Sequence, residues 1–364
     1  MSGIHESRRS RARQTLAAVG AEAALITGGV NVRYFTGLAS SNAAVLLTAD
    51  GQAVLSTDSR YAGTAERDCP DVELLIERNV EAELVRRALA GGLHAIGFED
   101  FEMTVRRYHS LASIDNSVVL VPLGTGIDEL RVVKDETELE LLARACEITS
   151  EAFSAVLDRL RPGVTEREFA VALERVMVDL GAEAAAFDTI VASGPNGAVP
   201  HHVAGERRFE AGDLVTIDCG ARYAGYHADM TRTVAIGQVE AWQRDVYRLV
   251  ATAQAAGVAA VRIGADVADV DAAARDLIAA AGHGEHFTHG LGHGVGLEIH
   301  EAPWLGRDKT GTLQDRVLIT IEPGIYLPGA GGVRIEDTLV VRAGAGAAGS
   351  AQSLTTITRE LLVL

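Results

Sequence analysis

The sequence predicts a two-domain α/β protein of the α+β kind, in which a smaller mixed α/β domain precedes a larger one built from two related halves. Three observations predict it. The chain has 364 residues, enough for two domains. Residues 1–130 alternate short apolar strands with helical stretches and gather no set of metal-ligating side chains. Residues 131–364 repeat a capped helix followed, after a similar interval, by an apolar strand that carries one acid.

In the first domain, residues 8–19 read as a short helix with Leu16 and Val19 inward, and AALIT (23–27) reads as a strand. Residues 43–57 read as a hairpin, because Asp50-Gly51 separates the apolar runs NAAVLLT and QAVLST. A helix over 80–90 and an apolar strand over 93–98 follow. The expectation for this domain is a structural or oligomerisation role. Residues 122–136, PLGTGIDELRVVKDE, are turn-rich and then charged, which suits a boundary.

The second domain opens on helical spacing from Thr137 to Leu160, stopped by Arg161-Pro162-Gly163. Thr165 with Glu168 fits a capping box, and Val164 with Phe169 fits a hydrophobic staple, for a helix running to Gly181. Another apolar-striped helix occupies 240–262. The stretches GVTEREFAVALERVMVDLG (163–181) and GADVADVDAAARDLIAAAG (264–282) then match in length, open and close on Gly, and place Thr165 and Asp266 at the cap. Glu168 and Asp269 both suit the third helical position. The acid-bearing strands are LVTIDCG (214–220) with Asp218 and LITIEPG (318–324) with Glu322. Each is followed by a second acid, Asp229 or Glu336. The repeat implies a pseudo-twofold catalytic domain with its acids converging between the halves.

The stretch TIDCGARYAGYHADMTRT (216–233) reads as two strands joined near Ala224 and Gly225, with Asp218 in one and Asp229 in the other. Asp218 lies between apolar Ile217 and Cys219, and a buried carboxylate needs a cationic partner. The loop THGLGHGVGLEIHE (288–301) adds His289, His293 and His300 among four glycines, which permit close backbone approach. One imidazole with four carboxylates suits a pair of divalent ions such as Mn²⁺, Co²⁺ or Zn²⁺. Two such ions roughly 3.5–4 Å apart can clamp and acidify a water.

Composition narrows the partners. A net charge of −17 argues against nucleic acid and against an anionic membrane surface. Cys69, Cys146 and Cys219 are too few and too scattered for a disulfide framework or a thiolate site. The polar start MSGIHESRRSRAR lacks the apolar core of a secretory signal, and no apolar run is long enough to span a bilayer. A cytoplasmic location is expected.

The order Asp, Asp, His, Glu, Glu in these contexts resembles the pita-bread metallopeptidases, the family of methionine aminopeptidase, aminopeptidase P, prolidase and creatinase. The resemblance covers the whole chain. Residues 131–364 resemble the pita-bread catalytic domain. Residues 1–130, with NVRYFTGL (31–38) and TDSRY (57–61), resemble the creatinase/prolidase-like amino-terminal domain, which methionine aminopeptidases lack. The resemblance implies metal ligation by Asp218, Asp229, His293, Glu322 and Glu336, with Glu322 also shuttling protons. It implies that His201, in SGPNGAVPHHVAG, binds substrate and that His300 bonds the scissile carbonyl. His289 and Arg334 match positions of the proline-specific branch. Arg334 lies two residues before Glu336, so both are expected on one face of a strand, where Arg334 either contacts substrate or pairs with a neighbouring acid.

The expected activity is metal-dependent hydrolysis of the bond between an amino-terminal residue and proline, in dipeptides or longer peptides. Two divalent ions are expected, Mn²⁺ first and Co²⁺ or Zn²⁺ as alternatives, in a homodimer. The rivals are a metal-free creatinase-like hydrolase, a non-catalytic peptide-binding protein on the same fold, and a methionine aminopeptidase. Two departures from the family pattern touch no proposed ligand: Val203-Ala204-Gly205 stands where relatives often have a Pro-Thr-Asp-like turn, and Ala228 where Ser is common.

Overall fold

The computed structural model describes residues 2–343 and 349–364. Contacts divide the chain into two units, Met1–Arg131 and Val132–Leu364.

The first unit begins with α1 (Ser2–Val19), β1 (Ala23–Ile26), α2 (Gly29–Thr36), β2 (Ala43–Thr48) and β3 (Ala53–Thr57). It continues through α3 (Ala62–Asp68), β4 (Glu73–Ile76), α4 (Val80–Ala90), β5 (Ala95–Phe98), α5 (Val105–Ala112) and β6 (Val119–Pro122). The strands form one mixed sheet in the order β4-β3-β2-β1-β5-β6. β2 and β3 pair antiparallel about Asp50-Gly51, where Gly51 takes the positive φ of 112° that the turn requires. Leu84, Val85 and Ala88 of α4 pack on Leu25, Leu46 and Val54 of the sheet.

Helix α1 ends at Val19 as expected but differs from the sequence reading at its start and in which residues it buries. It starts six residues earlier than residue 8, at Ser2, and Val19 is exposed while Leu16 is buried. The cause is a buried arginine. Arg9 donates to the Phe35 carbonyl at 2.8 Å and to Asp71 at 2.8 Å, so a stretch that looks solvated by composition is anchored by charge-assisted bonds.

The second unit opens with α6 (Glu136–Ala155), α7 (Glu166–Asp179), β7 (Ala184–Ala185), β8 (Ile190–Ser193) and β9 (Leu214–Cys219). Next come β10 (Ala221–Tyr223), β11 (Tyr226–His227), β12 (Met230–Ala235), α8 (Ala241–Ala260) and α9 (Val267–Ala280). It closes with β13 (Gly292–Gly294), β14 (Glu301–Leu305), β15 (Leu318–Ile321), β16 (Gly324–Leu327), β17 (Gly331–Arg334), β18 (Asp337–Arg342) and β19 (Ser350–Ser353). Helix α6 ends at Ala155, short of the expected Leu160, and a 3₁₀ turn over Leu157–Arg159 fills the gap.

Two halves are visible in this unit. In the first, Ile148, Phe153, Phe169 and Leu173 of α6 and α7 pack on Val191, Val215, Ile217 and Val234 of the sheet β12-β9-β8. In the second, Val250, Val270, Ala274 and Ile278 of α8 and α9 pack on Ile319, Ile321 and Leu339 of the sheet β14-β13-β15-β18-β19. The capping box at Thr165 and Glu168 is formed, and Val164 packs in the same cluster as Phe169. Asp266 caps α9 through the Ala268 N–H, one position earlier than Thr165 reaches on α7.

The halves also repeat bond for bond. Gly163 donates to Phe209 and Gly264 to Leu313, while Phe209 donates back to Val164 and Leu313 to Ala265. The cap residues Thr165 and Asp266 bridge Arg208 and Thr312, which lie ten residues ahead of Asp218 and Glu322. Equal spacing from the cap's bridge partner to the acid brings the two halves' acids to equivalent places.

Candidate metal centre

β9 reads LVTIDC and is buried along its length, as a central strand should be. Alternation turns Cys219 into the helix-packed core and Asp218 to the opposite face. The chain then turns at Ala224 and Gly225, with φ of 48° and 82°, and returns through β11 and β12.

Three acids sit differently from the sequence reading. Asp229 lies just before β12 rather than inside a strand, and Glu322 lies just after β15. Glu336 falls in the break between β17 and β18, so Arg334 and Glu336 do not share a strand face by alternation. Inside a ladder a side chain stands perpendicular to its own sheet. Acids from separate sheets meet at one point more readily from strand ends. The glycine-rich loop also differs, because its centre is the short strand β13 with His293 in the middle. A Cβ at Gly292 would run into the Thr320 carbonyl, and one at Gly294 into the Ala302 carbonyl. Glycine at both places lets β13 lie close against its neighbours β15 and β14.

Asp229, His293 and Glu336 each offer a ligand atom, and these atoms lie within 4.8 Å of one another. His293 Nδ1 donates to the Gly294 carbonyl at 2.9 Å. Its Nε2 therefore faces the acids, 3.3 Å from Glu322 Oε1 and 3.6 Å from Asp229 Oδ2. Thr231 donates to Glu336 Oε2 at 2.6 Å, and Arg334 Nη2 donates to Asp218 Oδ2 at 2.7 Å. The other oxygens of these groups, Asp218 Oδ1, Asp229 Oδ1 and Glu336 Oε1, are buried and receive no donor among the described residues. Bare buried oxygens on Asp218, Asp229 and Glu336, the last two residues gathered with the His293 imidazole, fit a divalent cation, since burial without a partner is costly.

The electrostatics point the same way. Burial, then Glu336, Asp218 and Glu322, push the Asp229 carboxyl well above the usual carboxylate range. Burial, then Glu322 and Asp218, raise Glu336 likewise. Burial also acts upward on Glu322, but the His293 hydrogen bond and the charges of His293, His289 and Arg334 outweigh it and hold Glu322 at about 2. Burial acts downward on His293, and Glu322 outweighs it, so His293 titrates above its ordinary value.

All nine residues singled out in the sequence line one cavity: Asp218, Asp229, His293, Glu322, Glu336, His201, His289, His300 and Arg334. His300 packs edge-on against His293 with ring centroids 4.4 Å apart, and burial followed by the His293 charge lowers its pKa. His201 is exposed on the cavity lining, while its neighbour His202 is tied to Glu166 at 2.8 Å. Glu166 is buried and also receives Ser193 N–H and Asn196 Nδ2, so it anchors the loop that carries His201.

Tyr326, Thr231 and Thr320 escaped the sequence reading. Arg334 Nη1 donates to Tyr326 Oη at 2.9 Å, and Tyr326 O–H donates to His289 Nε2 at 2.8 Å. His289 Nδ1 in turn donates to the Gly290 carbonyl at 2.8 Å. Thr320 donates to Glu322 at 3.3 Å. Thr231 and Thr320 each stand two residues from an acid, Asp229 and Glu322, and that period-two spacing was the available signal.

Comparison with known proteins agrees with this geometry. Residues 140–343 match the model described as Metallopeptidase family M24, and residues 8–133 match the Creatinase/Prolidase N-terminal domain. The chain is 37% identical over 347 residues to the protein named Uncharacterized peptidase YqhT of Bacillus subtilis (strain 168), covering 95% of this chain and 97% of that one. A solved Xaa-Pro dipeptidase from Bacillus anthracis has a TM-score of 0.94 at 35% identity, with 99% of this chain and 100% of that chain covered. A solved X-Pro aminopeptidase from Thermotoga maritima MSB8 has a TM-score of 0.89 at 33% identity, with 98% and 99% covered. Likeness that spans both units, with the acids and the imidazole gathered in the second, makes this chain a pita-bread peptidase belonging to metallopeptidase family M24.

Proposed function

We propose that this peptidase hydrolyses the bond between an amino-terminal residue and proline, with two divalent ions held by Asp218, Asp229, His293, Glu322 and Glu336. The observation that carries the reading is the gathering of Asp229 and Glu336 with His293, with bare buried oxygens on Asp218, Asp229 and Glu336. The proline preference is supported by the names of the Bacillus anthracis and Thermotoga maritima relatives. Mn²⁺ as the metal, a homodimer and a cytoplasmic location complete the reading and rest on family resemblance. The oxygen-rich donor set also suits Mn²⁺.

Bound there, the ions would polarise the scissile carbonyl and acidify a water enough to attack it near neutral pH. The chain's own groups then have separable tasks. Glu322, held ionised beside His293, is able to accept a proton from the attacking water and pass it to the leaving proline nitrogen. His300, kept neutral by burial, offers an N–H where charge develops on the carbonyl oxygen. The substrate's free amine would lie near Asp218. His201 contacts substrate from the cavity lining, while His289 and Arg334 shape the proline side through Tyr326.

The test is metal dependence and a small peptide panel. Chelation is expected to abolish cleavage of Ala-Pro and Leu-Pro substrates, and added Mn²⁺ or Co²⁺ to restore it. Full turnover by a preparation that elemental analysis finds metal-free would sink the dinuclear reading. Met-Ala-Ser cleaved as fast as the proline substrates would remove the proline assignment alone.

A further inference from the structure

Among the described residues, no hydrogen bond holds the His300 ring. His293 and His289 differ, since each uses Nδ1 on a backbone carbonyl, of Gly294 and Gly290. The exposed His300 imidazole only packs, edge-on against His293 and 6.4 Å from Trp304. A donor aimed at a developing oxyanion has to be fixed before the charge appears. The orientation of this ring must therefore come from its own backbone.

The next residue supplies the anchor. Glu301 begins β14 opposite Gly294, the neighbour of His293. Its carboxylate pairs inside the protein with the Lys134 ammonium, and the two side chains are 5% and 1% exposed. Lys134 is itself held on both sides. Val133 bridges Val317, the Lys134 N–H donates to the Arg316 carbonyl at 3.0 Å, and Asp135 caps α6. The loop between β13 and β14 closes over the Glu301 carboxylate. A Cβ at Gly296 would run into that carboxylate, and the Gly296 carbonyl receives the His227 N–H at 2.8 Å.

Stability does not explain a buried ion pair here. Two apolar side chains of similar volume often serve a fold as well or better, because neither has to leave water as an ion. What the ions add is direction, since a buried charge is tolerable only at its partner.

We propose that Lys134 and Glu301 are positioning residues, which fix the backbone beyond His300 so that its ring N–H meets the oxyanion. The inference rests on the role given to His300 above, and it holds for any peptide the enzyme cleaves.

The experiment is a cycle on the metal-loaded full chain: wild type, Lys134→Met with Glu301→Met, His300→Ala, and all three changes together. Removing both charges leaves neither buried alone, so the fold is expected to persist, as circular dichroism checks. The two-methionine protein is expected to keep its metal content and KM and to lose kcat by about 100-fold, the scale of a misplacement of about 1 Å. Its crystal structure is expected to show the His300 ring moved from its 4.4 Å contact with His293. In the His300→Ala background the same two changes are expected to cost no more than about twofold. Equal losses in both backgrounds would overturn the proposal, because the pair would then act without His300. An unmoved ring, a rise in KM alone or a loss of metal would overturn it too. If the two-methionine protein fails to fold, Glu301→Gln takes its place in the cycle, with the same pattern expected at smaller size. A wild-type rate in His300→Ala would defeat the reading of His300 itself, and this inference with it.

Discussion

Asp229 and Glu336 are carboxyl groups that the fold keeps from water and beside other acids, so without an ion they hold protons well above the ordinary carboxylate range. His293 likewise holds its proton above the ordinary imidazole range. A metal needs all three unprotonated, so loading is expected to release protons and affinity to rise with pH. Calorimetric titration of Mn²⁺ into chelator-stripped protein near pH 6.5, repeated in buffers of different ionisation enthalpy, reads that release directly. No net release would contradict the assignment of these groups as ligands. His300 carries a different expectation. His300→Ala should keep the metal content and lose rate by on the order of 100- to 1,000-fold, in kcat rather than KM. A rise in KM alone would make His300 a ground-state binding residue.

At the scale of an element, the place of His293 depends on how closely β13 approaches β15. Gly292 sits against the Thr320 backbone, and the Thr320 hydroxyl receives the His293 N–H at 3.1 Å while donating to Glu322. Gly292→Ala has no room without moving the strand. It is expected to weaken Mn²⁺ binding by more than about tenfold, through displacement of His293 and Glu322 together. Unchanged metal affinity in a folded Gly292→Ala protein would show that the centre does not need this packing. The capping box of α7 offers a milder case: Thr165→Ala is expected to cost about 1 kcal/mol of unfolding free energy, read from denaturant unfolding. The neighbouring residue Glu166 anchors the His201 loop, so the same turn of helix serves both stability and the site.

For the molecule as a whole, every residue of the proposed centre belongs to the unit Val132–Leu364. Within the first unit the buried acid Glu99 is satisfied by Gly28 N–H and Asn31 Nδ2, at 2.8 and 2.7 Å. An ion that binds only the folded state stabilises it by about 2.7 kcal/mol at 100 times its dissociation constant. Hydrogen exchange should therefore slow with Mn²⁺ in β9, β12, β13, β15 and β18, with β1 to β6 little changed. Equal protection across both units would place the metal's effect elsewhere. No helix among the described residues is long and apolar enough to cross a membrane.

Local chemistry alone determined much of this protein. Asp50-Gly51 announced a hairpin because few other residues take that backbone turn, and Thr165 with Glu168 announced a helix start because the first turn's N–H groups need acceptors. The two acid-bearing strands stood out because an acid within an apolar run has to find a cation, and their repetition announced two halves. Other features depend on partners distant in sequence. The burial of Arg9 is set by Phe35 and Asp71, and no periodicity within α1 reports it. The step of Asp229, Glu322 and Glu336 to strand ends is set by where two ladders stop, β9 with β12 at Cys219 and Met230 and β15 with β18 at Ile321 and Asp337, which no residue pattern marks. Arg334 could have met substrate or an internal acid. The fold places Asp218, 116 residues away, within 2.7 Å of it, and a buried guanidinium takes the carboxylate within reach.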